Sequence, residues 1–67
     1  MSNKITLEEG WRLAIEKERE AQRFYKQLLE MTDDTALQSL LSFLVDQEIS
    51  HERLLQDEYD RMFVPEN

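Results

Sequence analysis

Cysteine is absent from this 67-residue chain, and glycine and proline occur once each. Without cysteine there is no disulfide framework, no CxxC redox pair and no thiolate metal site. The near absence of glycine and proline leaves little to interrupt a helix, and no apolar residues alternate at the period of a strand. Glu, Leu, Gln, Arg and Lys dominate instead, and they favour helix nearly throughout. Long apolar runs are missing as well. Nothing approaches the roughly 18 to 20 residues of a membrane span, and the opening Met1-Ser-Asn-Lys-Ile-Thr-Leu-Glu-Glu-Gly10 lacks the apolar core of a signal peptide. Positive charge is scarce: eight Lys plus Arg against fifteen Asp plus Glu leave a net charge of −7. Such a surface repels phosphate backbones and anionic membranes, so nucleic acid and membrane are not expected as partners, and a cytoplasmic location is expected.

A chain this short buries only about 60% of the surface it exposes when unfolded, which is marginal for a monomer. One domain over residues 1–67 is the expectation, with self-association or a metal supplying the missing stability. Thr6-Leu-Glu-Glu9 has the form of a capping box, predicting a first helix over about 7–31. The polar break Thr32-Asp-Asp-Thr35 supplies caps for a second, with Thr35 and Gln38 a candidate second box, and Pro65 marks its end; this helix is predicted over about 35–63. The fold class is therefore all-α: two helices, each about 40 Å long at 1.5 Å per residue, in an antiparallel hairpin.

Alternate steps of four and three from Leu7 trace a stripe of Leu7, Trp11, Ala14, Glu18, Ala21, Tyr25 and Leu28. From Leu37 the same stepping gives Leu37, Leu41, Leu44, Glu48, His51, Leu55, Glu58 and Met62. Glu18 interrupts the first stripe, and Glu48 and His51 the second. Flanking rows (Ile15, Phe24, Leu29 and Met31; Leu40, Phe43, Val45, Ile49 and Leu54) widen both faces beyond what one hairpin can cover. Two hairpins packed face to face would cover them as a four-helix bundle.

In an antiparallel hairpin the midpoints of the stripes meet, bringing Glu18 level with Glu48 and His51. Buried carboxylates without a counter-charge cost several kcal/mol, and no Lys or Arg occupies either stripe. A cation is the remaining compensation. Residues three apart on a helix share a face, so Glu48 and His51 can serve one site. Two copies about a two-fold axis would assemble four Glu and two His, enough to neutralise two divalent cations and leave positions open for water, O2 or peroxide. That donor set suits iron or manganese.

These stretches resemble the rubrerythrin and ferritin-like di-iron carboxylate proteins. Glu18-Arg-Glu-Ala21-Gln-Arg-Phe-Tyr25 is similar to the family's first metal helix with its E-x-x-A-x-x-x-Y run, and Asp46-Gln-Glu48-Ile-Ser-His51 to its E-x-x-H helix. Full-length members usually carry the helix pair twice, whereas here it occurs once, as in the two-helix encapsulated ferritins that complete their site by dimerising. The resemblance implies a ferritin-like four-helix bundle formed by a homodimer or a higher oligomer of dimers. It also implies Glu18, Glu48 and His51 as iron ligands, two irons per dimer, with Tyr25 beside the centre. The implied activity is oxidation of Fe(II) by O2 or H2O2, as ferroxidase or peroxidase. Rubrerythrins draw electrons through a cysteine-ligated iron site; with no cysteine, peroxide reduction here would need an external donor. The tail Phe63-Val-Pro-Glu-Asn67 does not resemble a shell-targeting peptide.

Tyr25 lies one heptad beyond Glu18, where its hydroxyl either orients a liganding carboxylate or sits hydrated at the edge of the seam. Trp11 reads as core or as a subunit contact, and Glu58 as exposed near a helix end. Glu16, Glu20, Glu30, Glu52 and Asp57 read as solvated faces with intrahelical basic neighbours. The competing functional reading is a metal-free helical dimerisation or interaction module, in which Glu18, Glu48 and His51 form a polar seam that fixes register.

Overall fold

A computed structural model describes residues 4–64, in which two α-helices, α1 (Leu7–Met31) and α2 (Thr35–Phe63), form a hairpin. The Thr6 capping box is complete. The Thr6 hydroxyl accepts from the Glu9 amide at 3.1 Å, and the Thr6 amide donates to Glu9 Oε1 at 3.0 Å. That backbone donation holds the Glu9 carboxyl below its ordinary range.

The second cap comes from an Asx residue of the polar break. Asp34, rather than Thr35, caps α2, its Oδ1 accepting from the Leu37 amide at 2.7 Å. Gln38, expected to close a box with Thr35, instead donates its side-chain amide to the Thr32 carbonyl. The physical reason is that Asp accepts with a charged oxygen, which suits the positive end of a helix better than a hydroxyl does. The Asp34 amide in turn donates to the Thr32 hydroxyl. Thr32, Asp33 and Asp34 therefore reverse the chain in three residues without glycine and without any positive φ among the described residues. Pro65, expected to mark the end of α2, lies outside the described residues; the last turn closes through the Val64 amide donating to the Asp60 carbonyl.

Little of the apolar surface is buried between the two helices. Among the described residues Ile15, Leu41 and Val45 are the buried apolar side chains. Two of them, Ile15 and Val45, belong to the rows that flank the stripes, so the helices meet rotated toward that side. Polar ties lie there too: Arg19 and Gln22 of α1 both donate to Glu52 of α2, and Tyr59 of α2 donates to Glu8 while accepting from Arg12. The other edge of the stripes stays open. Leu7, Phe24, Leu37, Leu40, Phe43, Leu54 and Met62 are all exposed, which is the excess apolar width anticipated from the pattern. The hairpin is a single layer of helices, where independent domains ordinarily pack two. No helix among the described residues is long and apolar enough to cross a membrane.

Candidate metal centre

Glu18 is the twelfth residue of α1 and Glu48 the fourteenth of α2, so antiparallel packing sets them side by side near the middle of the hairpin. His51, one turn beyond Glu48, completes a group in which each residue offers a ligand atom within 4.8 Å of the others. His51 Nδ1 lies 3.5 Å from Glu18 Oε2 and 3.7 Å from Glu48 Oε2. The two carboxylate side chains are mostly buried, at 23% and 18% exposure, while His51 is half exposed at 52%. The carboxylates thus form the floor of the group and the imidazole its rim, on the face where the apolar residues lack a cover.

Glu18 Oε2 is buried and has no hydrogen-bond partner among the described residues. Leaving a carboxylate oxygen unsatisfied in the interior costs more than the same atom in water, and a second carboxylate beside it adds repulsion. Two ligand atoms bound to one ion at about 2.1 Å stand no more than about 4.2 Å apart, and both histidine-to-carboxylate separations fall inside that limit. Hard oxygens with one imidazole are donors for iron or manganese rather than for a soft metal. The residues present therefore fit a divalent cation, which would take up the orphaned oxygen that the protein leaves without a donor.

Tyr25 is half-buried, with its ring tilted against Phe24 at 5.7 Å between centroids. It makes no hydrogen bond to Glu18 or Glu48 among the described residues. Trp11 is half-buried in the same face. Glu58, expected to be exposed and without a partner, is half-buried and pairs with Arg61 at 2.8 Å, three residues along α2. Glu20 pairs with Lys17, three residues away on its own helix, as its spacing suggested, whereas Glu16 pairs with Arg23, seven residues along.

Glu52 does not behave as the solvated carboxylate expected of it. It bridges the helices, accepting from Arg19 Nε at 2.8 Å and from the Gln22 amide at 2.6 Å. These bonds, the Arg19 bond foremost, hold the Glu52 carboxyl below its ordinary value of 4.5. A carboxyl lowered by folding stabilises the native state above its unfolded pKa, and that contribution is lost as pH falls through the folded value. Glu52→Ala should accordingly cost about 1 kcal/mol at neutral pH. By urea unfolding the deficit should shrink as pH falls through the folded value, below the ordinary carboxylate range; a deficit that does not shrink would mean that packing rather than charge accounts for it. The Tyr59 tie to Glu8 and Arg12 escaped the sequence pattern altogether, because its partners lie some fifty residues away.

A helical hairpin with two carboxylates and one imidazole converging at its centre is similar to one half of the four-helix arrangement of carboxylate metal proteins. The rubrerythrin family profile matches residues 2–59, and the chain belongs to the rubrerythrin family. Members of that family typically bind iron. No curated protein and no solved structure matched the chain.

Proposed function

We propose that this chain is a di-iron carboxylate protein that oxidises Fe(II) with O2 or H2O2, at a site completed by two copies of the hairpin. The observation that carries this reading is the convergence of Glu18, Glu48 and His51 around a buried carboxylate oxygen with no donor, in a chain of the rubrerythrin family. One hairpin offers two carboxylates and one imidazole, too few for two metal ions. A second copy across the open apolar face doubles the set to four carboxylates and two imidazoles, matching the charge of two divalent cations.

Two ferrous ions held by these residues would supply two electrons, which with two protons reduce O2 to H2O2 or H2O2 to water. The chain's own residues set the conditions for that exchange. Glu18 and Glu48, fixed on opposite helices, supply the negative charge that favours the ferric over the ferrous state. His51 offers a neutral donor at the rim, where oxidant arrives. Manganese suits the same donors. Re-reduction of the iron would draw on an external electron donor; a homodimer and a higher oligomer of dimers hold the same site, and its expected place is the cytoplasm.

The test is an anaerobic Fe(II) titration of the metal-free protein followed by admission of air, with near-ultraviolet absorbance and iron per chain as readouts. Saturation near one iron per chain is expected, with oxidation well above the rate of free Fe(II), and both lost in Glu48→Ala. Absence of binding, or a rate equal to buffer, would leave the metal-free dimerisation module with a polar seam.

A further inference from the structure

Nothing within the central cluster fixes its own spacing while no cation binds it. Glu18 and Glu48 stand on opposite helices and repel each other, and Glu18 Oε2 has no donor among the described residues. His51 Nδ1 is 3.5 and 3.7 Å from their oxygens, too far for strong hydrogen bonds. The apolar contact between the helices is thin as well, with Ile15, Leu41 and Val45 its buried members. A metal ion tolerates only about 0.2 Å of error in donor distance. Whatever sets the separation of the helices at this level therefore also sets how well the cluster binds.

The sequence places three polar residues directly beside the ligands. Arg19 follows Glu18, and Glu52 follows His51. Gln22 lies one turn after Glu18 and Glu52 one turn after Glu48, each turned about 40° around its helix from the carboxylate it follows. Side chains on a helix lean toward its N-terminus. Because α1 and α2 are antiparallel, Gln22 leans back to the level of Glu18 and Glu52 leans back to the level of Glu48. They meet between the helices, beside the cluster.

The contacts made there are short. Gln22 Nε2 donates to Glu52 Oε1 at 2.6 Å, and Arg19 Nε donates to Glu52 Oε2 at 2.8 Å. Both oxygens of one carboxylate are thus held by two residues of the other helix, and the Glu52 side chain is only 25% exposed. A single bond would leave the helices free to roll about it; two bonds from neighbouring turns fix rotation as well as separation. The tie of Tyr59 to Glu8 and Arg12 lies about 9 Å or more further along α1, so it controls the end of the hairpin rather than its centre.

We propose that Glu52 is a positioning residue, which with Arg19 and Gln22 holds α1 and α2 at the separation and rotation where Glu18, Glu48 and His51 reach one cation. This rests on the reading that the cluster binds a cation. It goes beyond that reading by giving three residues outside the ligand set the task of holding the empty site against the repulsion of its own carboxylates. Residues that orient metal ligands in this indirect way typically change affinity about 10–100-fold when they are replaced.

Co(II) is the probe, because its visible absorbance reports the number and geometry of its ligands as well as occupancy. The metal-free chain and three variants are titrated, with urea unfolding of each metal-free protein measured in parallel. Glu52→Leu removes both bonds and the charge. Gln22→Met removes one bond at nearly constant size. Glu52→Gln removes the same charge, yet its amide still accepts from Arg19 and donates to the Gln22 carbonyl once that side chain turns over. The Co(II) dissociation constant should rise at least tenfold in Glu52→Leu, with a changed spectrum. It should rise about threefold in Gln22→Met and stay near that of the parent in Glu52→Gln. Parental affinity and spectrum in Glu52→Leu, or in Gln22→Met should Glu52→Leu not fold, overturn the proposal and leave a tie that serves stability alone. A loss in Glu52→Gln as large as in Glu52→Leu overturns it too, because charge near the cation would then account for the effect. A parent chain that binds no Co(II) overturns the cation reading itself, and this proposal with it.

Discussion

Glu18→Leu is expected to raise the stability of the metal-free chain while removing its response to Fe(II). Glu18 places a buried carboxylate oxygen with no hydrogen-bond partner beside a second carboxylate. Replacing a buried charge of this kind by an apolar side chain of similar volume typically gains about 1–4 kcal/mol. In the native chain that cost is offset by the cation: a ligand at a hundred times its dissociation constant adds about 2.7 kcal/mol. Thermal unfolding followed by circular dichroism, under anaerobic conditions with and without Fe(II), should therefore show the variant melting higher without metal and the unaltered chain gaining stability only with it. If the variant is the less stable of the two without metal, Glu18 contributes a favourable polar contact to His51, and the seam is structural.

The second large effect concerns the fold itself. Leu41 is 2% exposed, one of the three buried apolar residues among those described. Its truncation to alanine removes packing that the hairpin has almost no means to replace, and buried Leu→Ala changes cost about 2–5 kcal/mol. For a small chain with total stability of about 5 kcal/mol or less, that is most of what holds it folded. Leu41→Ala should lose its cooperative melt and most of its helical signal at room temperature. Leu13→Ala, at a position 54% exposed on the opposite side of α1 from Ile15, serves as the comparison and should melt nearly as the parent does. Equal losses at the two positions would mean that Leu13 is as deeply buried in solution as Leu41, by an interface on its own side.

The helices themselves were legible because their signals are local. A capping box spans four residues, the polar break is contiguous, and the lack of glycine leaves the intervening stretches little alternative. The central cluster was legible for a related reason: Glu48 and His51 are one turn apart, and the length of each helix fixes which residues stand at its midpoint. What the pattern does not carry is rotation. A stripe wider than one contact says that more than one neighbour covers it, without saying which part faces the helix in the same chain. Hence Ile15 and Val45, assigned to the flanks, turned out to be core, and Glu52 turned inward to Arg19. The choice of Asp34 over Thr35 as cap was likewise undetermined, since both residue types cap well and stand side by side.

The hairpin is fastened at both ends and keeps its functional group between them. The Asp34 cap and the Gln38 bond to Thr32 secure the turn, and Tyr59 with Glu8 and Arg12 ties the opposite end of the hairpin. Helices fray inward from their ends, and opening near a terminus costs much less than opening at the centre. Glu18, Glu48 and His51 are thereby placed three or more turns from any helix end, where amide hydrogen exchange is expected to be slowest. The spacing of the cluster thus persists through the fast, partial openings that a chain this small undergoes continually, and is lost only when the whole hairpin comes apart.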